Sequence, residues 1–398
     1  MKPVYIVDIV RTPIGKYGGA LASIRPDDLA AHAIRELLKR NPSIDVALIE
    51  DVIVGAANQA GEDNRNVARM ALLLAGLPVD IGGVTVNRLC ASGLQAIMQA
   101  AQGIMTGNGE VYIAAGVESM TRAPFVMAKA EESFTRKQEL IDTTLGWRFI
   151  NSKLSKLYHP HSMGETAENV AVKWEVSRED QDAFAFRSQQ RYQRAHEAGR
   201  FKEEIVPVPV PKSRDEFFLF EKDEHPRLTS IEKLATLKPA FQENGTVTAG
   251  NSSGINDGAA ASILVSEDIL QKFNLTPIAR VVSMAIAGVD PAYMGVGPVP
   301  ATQKALKRAG LKINDIGLTE LNEAFASQSL ACIRDLDLDP ETVNVNGGAI
   351  AIGHPLGCSG VRISATLLHE MKKQNIRYGL ATMCIGVGQG AAVIYEKV

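Results

Sequence analysis

The chain has 398 residues, of which 45% are hydrophobic and 22% charged, with a formal net charge of −3. This composition is typical of a globular protein with two or three core-forming units, and it excludes a largely disordered chain. The slight negative charge excludes a global basic field that would attract nucleic acid or anionic membranes. The four cysteines, none in a CxxC pair, exclude a disulfide scaffold and a zinc ribbon.

The chain opens with VYIVDIV at residues 4–10, a pattern that predicts a β-strand and not a signal peptide. No run approaches the roughly 20 uninterrupted apolar residues of a membrane span. We therefore expect a cytoplasmic protein that binds neither membrane nor nucleic acid.

One pattern occurs twice along the chain: a helix, then a short strand, a turn containing cysteine, serine and glycine, a second helix, and a glycine-rich strand. The first copy has these features at 28–40, 84–87, 90–93, up to about 106, and 111–116. The second copy has them at 301–309, 343–346, 358–360, 361–372 and 378–383. Strands that alternate with helices at this spacing predict α/β units with mostly parallel sheets.

The region between the two copies, 121–250, has a different character. A capping pattern at Ser177 predicts a polar helix that ends near Gly199, and prolines and charged residues follow it. We predict an N-terminal α/β half at 1–120, completed by about 251–270, a covering insertion at 121–250, and a C-terminal α/β half at 271–398. Long insertions of this kind often cover a ligand or form an oligomer.

Cys90 lies between a strand and a helix and is followed by the small residues Ala91, Ser92 and Gly93. Such a turn points a side chain out of the carboxyl edge of a sheet, where α/β proteins bind ligands. We expect the helix N-terminus to favour the thiolate, because a free thiol with a pKa of about 8.5 is little ionised near pH 7. Most cysteines are buried and inert, but these small neighbours favour access of a ligand to the sulfur.

Three further segments contain candidate catalytic groups. The segment 344–360 holds five glycines and His354, which could be a base for a thiol or an ordinary structural histidine. Cys384 ends a strand just before a glycine turn that includes Gly386, where backbone N–H groups could form an oxyanion hole. Asn322 follows a strand and opens a helix, so it could also be a simple capping residue.

Together these segments resemble the thiolase family over essentially the whole chain. The matching motifs lie at 11–15, 87–93, 245–254, 322–325, 353–355 and 384–386. The resemblance implies an α/β fold of two duplicated halves in a layered αβαβα core, with a helix and loop insertion. It also implies an acyltransferase that forms an acyl-thioester on a cysteine. Coenzyme A would be its substrate, with no permanently bound cofactor.

The resemblance assigns a role to each candidate group. Cys90 would be the nucleophile, His354 would activate it, and Cys384 would act as acid and base on the second substrate. The N–H groups of Cys90 and Gly386 would form one oxyanion hole. His354 and a water held by Asn322 would form the other.

The resemblance also implies a set of residues along coenzyme A, namely Met163, Arg227, Ala249, Ser253, Ala324 and Phe325. The match at Arg227 requires a one-residue gap. Biosynthetic relatives often have a histidine before the Met-Gly of this region, where this chain has Ser162. That difference weakens the alternative function, which is condensation of two acetyl-CoA molecules to acetoacetyl-CoA.

Four segments, at 123–127, 142–149, 223–227 and 294–302, resemble the β-ketoadipyl-CoA thiolases in particular. We therefore predict reversible cleavage of a 3-oxoacyl-CoA, with 3-oxoadipyl-CoA as a candidate, to acetyl-CoA and a shortened acyl-CoA. The terminal carboxylate of that substrate requires a cation or ordered water, because a buried unpaired charge is costly. Arg148 is our candidate, and an ordinary structural ion pair is the alternative for this residue.

Two rival functions are less consistent with the sequence. Ketosynthases of the same fold typically pair their cysteine with two histidines, whereas this chain has Asn322 in one of those places and adds Cys384. Lipid-carrier relatives lose catalytic residues that this chain retains. His159 and His161 could suggest a metal, but we identify no residue nearby that completes a ligand set, so no metal site is predicted. The family resemblance implies a homodimer or homotetramer.

Overall fold

In the computed structural model, which describes residues 2–398, a ten-stranded sheet runs through two similar halves of the molecule. The strands are β1 (Val4–Arg11), β2 (Gly15–Lys16), β3 (Ile49–Gly55), β4 (Gly82–Val86), β5 (Val111–Ser119), β6 (Phe125–Met127), β7 (Leu140–Asp142), β8 (Val208–Pro211), β9 (Phe217–Phe220), β10 (Asn256–Ser266), β11 (Ala279–Gly288), β12 (Leu318–Leu321), β13 (Tyr378–Ile385) and β14 (Gln389–Lys397). The helices are α1 (Pro26–Arg40), α2 (Val67–Leu74), α3 (Ser92–Thr106), α4 (Ser152–Leu157), α5 (Met163–Lys173), α6 (Arg178–Glu197), α7 (Ile231–Ala235), α8 (Glu267–Phe273), α9 (Pro298–Ala309), α10 (Ala326–Leu336), α11 (Ala349–Ile352) and α12 (Leu356–Gln374). Short 3₁₀ helices lie at Ala20–Ser23, Val46–Leu48, Pro291–Val296 and Ile313–Asp315.

The N-terminal half of the sheet has the strand order β4-β3-β5-β10-β1. β3 pairs in parallel with β4 and β5, while β10 runs antiparallel to β5 and β1. β10 follows the insertion in sequence, so the chain returns to this half to place a strand between β1 and β5. Every residue of β5 and β10 is buried, as expected for strands that are covered on both faces.

The C-terminal half has the order β12-β13-β14-β11, with β12 parallel to β13 and with β14 antiparallel to both its neighbours. A parallel bridge between Thr319 and Val343 lies beside β12, where the first half has β4. The halves join where Tyr5 and Ile6 of β1 pair with β11. The topology therefore repeats as the sequence pattern does.

The two central helices, α3 and α12, lie side by side between the halves of the sheet. α3 packs on β3 and β5, and α12 packs on strands of both halves. Alternate residues of β5 face opposite ways: Tyr112 and Ala114 join the core around α3 and α12, while Ile113 and Ala115 join the core under α1 and α2. α9 covers the outer face of the second half. The result is five layers, αβαβα.

Glycine allows the two central helices to meet closely at their N-terminal ends. A Cβ on Gly93 would lie 2.6 Å from the carbonyl oxygen of Gly357, and a Cβ on Gly360 would overlap the backbone of Leu94. Side chains at these positions would separate the helices, which costs packing energy in a dense core. The repeated serine-glycine pair of the sequence therefore brings the Cys90 and His354 segments together.

The region 121–250 forms the β6–β7 and β8–β9 hairpins and helices α4 to α7. α5 and α6 pack against α10 of the second half, whereas most residues of the β6–β7 hairpin are exposed. Ser177 caps α6 by accepting a hydrogen bond from the N–H of Asp180. Within residues 2–398, no helix combines the length and apolar composition needed to cross a membrane.

The predicted α/β fold class is confirmed, but the expectation of mostly parallel sheets was wrong. Among residues 2–398, three pairings of the ten-stranded sheet are parallel (β3–β4, β3–β5 and β12–β13) and six are antiparallel, because β10, β11 and β14 run against their neighbours. Some element ends also differ from the prediction. The predicted turn at 358–360 is instead part of α12, which begins at Leu356, directly after its extended N-cap residue Pro355. β5 and β13 continue to Ser119 and Ile385, beyond the predicted ends. The domain boundaries at 120, 250 and 270 stay a prediction.

Candidate active site

The turn between β4 and α3 holds Cys90 in a fixed position. Leu89 has φ +48°, in the left-handed region that a leucine rarely occupies. The Ser92 hydroxyl accepts a hydrogen bond from the Arg88 N–H at 2.9 Å and donates to the Leu89 carbonyl at 2.6 Å. The Asn87 side chain accepts from the Leu89 N–H at 2.8 Å. These bonds stabilise the strained turn and direct Cys90 toward a cavity.

Burial disfavours the thiolate form of Cys90. Burial raises the pKa of the Cys90 thiol to about 11, although a hydrogen bond from the Gly386 N–H acts in the opposite direction. The N–H groups of Gly386 and Cys90 favour the thiolate, but loss of solvation outweighs them, so the net pKa is raised. A base must remove the proton when the sulfur attacks.

His354 is buried, and its hydrogen bonds define which ring nitrogen carries the proton. Its Nδ1 lies 2.6 Å from the Ser359 hydroxyl, which itself donates to the Pro355 carbonyl at 3.0 Å. With the hydroxyl donating to Pro355, it accepts from Nδ1–H, an assignment of the tautomer that leaves Nε2 as the basic nitrogen. Burial, together with the nearby Arg362 charge, lowers the pKa of His354 to about 3. The ring is neutral and can accept a proton.

Asn322 lies beside this imidazole, directly after β12. Its Nδ2 is 3.4 Å from both ring nitrogens of His354, and its N–H donates to the Thr382 carbonyl at 3.0 Å. The Arg362 guanidinium lies 3.4 Å from Asn322 Oδ1 and 3.5 Å from the Glu320 carboxylate. The structure therefore brings together two residues that are 32 positions apart in sequence.

Cys384 is 1% exposed and pairs with Gly390 in the β13–β14 ladder. Burial, and then a charge on Cys90, raises the pKa of Cys384 well above its ordinary value, which indicates that the two sulfurs lie near each other. The apolar cluster around Cys384 contains three of the predicted coenzyme A contacts, namely Met163, Ala324 and Phe325.

A cavity of about 300 Å³ opens in front of Cys90, with Gly386 in its wall. The predicted catalytic residues Asn322, His354 and Cys384 are each at most 5% exposed and, in the described chain, do not line this cavity. The cavity therefore exposes the candidate nucleophile, while the residues that would assist it are shielded from solvent.

A second cavity, of about 240 Å³, contains the predicted coenzyme A contacts Arg227 and Ala249. The Arg227 guanidinium donates to the Ala249 carbonyl at 3.4 Å, and Lys233 adds another cation to the wall. Ser253 lines neither cavity, but its N–H donates to the Ala324 carbonyl at 3.0 Å. The predicted contacts thus divide between the two cavities.

Sequence reasoning missed Glu118, a buried carboxylate in the wall of the Cys90 cavity. It accepts hydrogen bonds from the N–H groups of Ala57 at 2.9 Å, Asn58 at 3.0 Å and Gly357 at 2.8 Å. Burial raises its pKa to about 7 despite these bonds. The carboxylate joins the loop after β3 to the start of α12, next to the His354 segment.

Arg148 lines the same cavity, next to Trp147. Among residues 2–398, no carboxylate oxygen lies within 4.0 Å of its guanidinium, so the ordinary ion pair considered as an alternative is not formed. A cation without a protein partner faces the space in front of Cys90.

His159 and His161 were expected to have no third metal ligand nearby. The structure corrects this expectation, because Glu165 at the start of α5 brings a carboxylate within 4.8 Å of both imidazoles. The sequence contained this signal. Glu165 lies three residues after Ser162, the N-cap of α5, so the first helical turn directs its side chain back toward the histidine loop.

This fold and this arrangement of thiols, imidazole and amide define an α/β acyltransferase. Two family descriptions together match nearly the whole chain: thiolase, N-terminal domain, over residues 4–268 and thiolase, C-terminal domain, over residues 275–397. The chain belongs to the thiolase family.

Similar proteins support the same assignment. The chain is 57% identical to the 3-oxoadipyl-CoA/3-oxo-5,6-dehydrosuberyl-CoA thiolase of Escherichia coli strain K12 over 100% of both chains, and 57% identical to a beta-ketoadipyl-CoA thiolase of Pseudomonas aeruginosa, also over 100% of both. The crystal structure of Bacillus anthracis acetyl-CoA acetyltransferase matches with a TM-score of 0.94 at 42% identity, covering 100% of this chain and 99% of that one. Human mitochondrial 3-ketoacyl-CoA thiolase in complex with CoA matches with a TM-score of 0.93 at 41% identity, covering 100% and 98%.

Proposed function

We propose that this thiolase cleaves 3-oxoadipyl-CoA with coenzyme A to acetyl-CoA and succinyl-CoA, in a reversible reaction. The observation that carries the proposal is Arg148, a cation without a carboxylate partner among residues 2–398, in the wall of the cavity that exposes Cys90. The names of the two bacterial relatives at 57% identity point to the same substrate class.

Cys90 attacks the 3-oxo carbon of the substrate as its proton passes to Nε2 of His354. The Ser359 hydrogen bond leaves Nε2 free for this proton, and the low pKa of His354 means that the imidazole is neutral beforehand. The N–H of Gly386, which already points at the Cys90 sulfur, supports an oxyanion hole beside it. A preorganised donor of this kind contributes about 3 to 4 kcal/mol to transition-state stabilisation.

Collapse of the tetrahedral adduct breaks the bond between C2 and C3 and expels acetyl-CoA as an enolate. Cys384 donates a proton to the enolate carbon, and its raised pKa suits it to exchange protons with such a weak carbon acid. Asn322 and His354 would stabilise the enolate oxygen, with a water between them. The proton held by His354 then restores Cys384.

Coenzyme A enters in place of acetyl-CoA and attacks the acyl-Cys90 thioester. His354 accepts the thiol proton and returns it to Cys90 as the acyl group leaves. This step exchanges one thioester for another, so its reactants and products have similar free energies. Met163, Ala324 and Phe325 would contact coenzyme A near Cys384. Arg227 and Ala249, in the second cavity, and Ser253 would contact the rest of the coenzyme A molecule.

The alternative, condensation of two acetyl-CoA molecules, is not favoured. Its substrate has no terminal carboxylate and would leave Arg148 unpaired in the cavity. We also propose that the enzyme is cytoplasmic and forms a homodimer or homotetramer. The exposed hydrophobic side chains Leu73, Leu74, Val79 and Val84, near or on the edge strand β4, support an oligomer.

The proposal is tested by comparing kcat/KM for 3-oxoadipyl-CoA with kcat/KM for 3-oxohexanoyl-CoA, which has the same chain without the acid. We expect a preference for the acid of more than about tenfold, or roughly 1.4 kcal/mol. Arg148→Met should remove the preference, because it keeps the length of the side chain and removes the charge.

Arg136→Met is the matched control, since Arg136 is an exposed arginine of the same covering region. It should leave the preference unchanged. Equal kcat/KM for the two substrates in the unmutated enzyme would leave only a general 3-oxoacyl-CoA thiolase.

A further inference from the structure

Three potential metal ligands converge beside the catalytic cavity. His159 and His161 lie in the loop before α5, and Glu165 lies in its first turn. One ligand atom from each residue lies within 4.8 Å of the others. His159 is exposed and the other two are partly exposed, so an ion can enter from solvent.

The three side chains are free to coordinate. Among residues 2–398, neither imidazole has a hydrogen-bond partner at its ring nitrogens, and Glu165 uses only Oε2, which accepts from the Ser162 N–H at 2.6 Å. Oε1 is unoccupied by hydrogen bonds within the same residues. Each imidazole can therefore offer a lone pair, and Glu165 can bind an ion without releasing its helix cap.

The backbone of the loop is already ordered for coordination. The N–H of His161 donates to the His159 carbonyl at 2.8 Å, and the Trp147 indole N–H donates to the His161 carbonyl at 3.0 Å. The two imidazole centroids are 4.5 Å apart. Ligand bonds of about 2.0 to 2.1 Å in a tetrahedral Zn²⁺ site separate ligand atoms by about 3.3 Å, so the side chains need to close by about 1.5 Å at most.

The local chemistry selects the kind of ion. Two imidazoles and a carboxylate suit Zn²⁺, Co²⁺ or Ni²⁺ better than Mg²⁺ or Ca²⁺, which prefer all-oxygen sites. The partial positive charge at the start of α5 opposes any cation, but the charge of Glu165 offsets it.

We propose that His159, His161 and Glu165 bind one divalent transition-metal ion at the rim of the Cys90 cavity, and that the bound ion inhibits the enzyme. Trp147, Ser162 and Met163 line the cavity and are connected to this loop by the hydrogen bonds and sequence around it. Coordination would fix the loop at 159–161 against the start of α5, next to Ser162 and Met163 of the cavity wall, and so limit how this part of the wall adapts to an acyl-CoA. The three ligands leave a fourth position for water.

The binding test uses Co²⁺ and Zn²⁺ with the intact enzyme. We expect one equivalent of Co²⁺ with visible d–d absorption, displaced by Zn²⁺, and without the intense near-ultraviolet band that cysteine thiolate ligands produce. His161→Gln and Glu165→Gln should weaken binding by at least about tenfold. Glu165→Gln can still accept from the Ser162 N–H, so helix α5 should retain its cap.

His196→Gln is the matched control, because His196 lies on α6 in stacking contact with Tyr192 and outside this cluster. It should bind Co²⁺ as the unmutated enzyme does. A strong thiolate band, or equal binding by the unmutated enzyme and His161→Gln, would overturn the site.

The activity test measures thiolysis over a Zn²⁺ series at one fixed coenzyme A concentration, since coenzyme A itself binds zinc through its thiol. Zn²⁺ should inhibit the unmutated enzyme and His196→Gln at a concentration at least about tenfold lower than His161→Gln. Identical inhibition of all three proteins would show that zinc acts elsewhere, and the inhibitory role would be wrong.

Discussion

The catalytic centre and the covering region are built in opposite ways. Asn322 and Cys384 are each 1% exposed and His354 is 5% exposed, and all three lie at strand ends or next to a helix start of the C-terminal half. In the covering region, Leu145 is 54% and Phe149 53% exposed, and the segment around Arg148 has little regular structure. The candidate catalytic residues are therefore held by packing in the core, whereas the covering region forms a thin wall over that core.

This difference separates the two tasks of the enzyme. Groups that exchange protons must be held at fixed distances, and packing between β-sheet ends and the two central helices provides that. Groups that choose the acyl chain only have to present charge and shape at the cavity rim, and exposed loops change at little cost to stability. Substitutions in the centre should therefore lower kcat on every substrate, while substitutions in the wall should change preference.

The largest effect is expected from Cys90→Ala. It should reduce thiolysis by at least about 10⁴-fold, because the covalent intermediate cannot form. Peptide mass mapping after incubation with acetyl-CoA should find the acetyl group on Cys90 in the unmutated enzyme and on no cysteine in the variant. Acetylation of Cys384 or Cys358 with Cys90 unlabelled would contradict this role.

A smaller and more selective effect is expected from Cys384→Ala. Cys90 should still be acetylated, because that step needs only His354 and the oxyanion donors. Cleavage of 3-oxoacyl-CoA, and exchange of the acetyl-CoA α-protons into heavy water, should fall about 10³-fold, a typical loss for a general acid–base group. Proton NMR of acetyl-CoA measures the exchange, and an unchanged exchange rate would show that another group moves the proton.

Much of the fold and of the centre was predictable from sequence, because the informative residues lie in local patterns. Cys90, His354 and Cys384 each stand in a glycine-rich segment at the end of a strand or the start of a helix. The repeated strand, Ser-Gly and helix pattern predicted the duplicated layers. Local sequence is sufficient to predict these positions, because each predicted strand end or helix start itself contains the candidate residue.

Other features depend on distant contacts and could not be read from the chain. The extent to which burial raises the pKa of Cys90, against the N–H groups that favour its thiolate, depends on tertiary packing and not on the local turn. Glu118 was missed because its hydrogen-bond donors are up to 239 positions away in sequence. Glu165 is different, because it lies only four residues after His161 and its spacing from the capping residue Ser162 could have indicated the approach.

Glu118 gives the smallest of the expected effects on catalysis, because it positions the centre without touching the reacting atoms. Its carboxylate accepts three N–H groups from both halves, so protonation removes the charge that holds them. Its pKa of about 7 means that it is mostly ionised above pH 7 and protonated below it. We therefore expect kcat to fall as the pH decreases through about 7.

Glu118→Gln tests this interpretation. Glutamine offers only one acceptor oxygen, and its NH₂ group would face a backbone N–H donor. We therefore expect kcat at about pH 8 to fall about tenfold, a usual loss when catalytic groups are displaced from their optimal positions. The decrease near pH 7 should also disappear, because the titrating group is gone. Stopped-flow acylation of Cys90 from about pH 5.5 to 9 measures both effects, with the exposed Glu131→Gln as control. Burial lowers the pKa of His354 to about 3, well below this window, so a decrease that persists in Glu118→Gln would contradict the role of Glu118 and assign the decrease to another group.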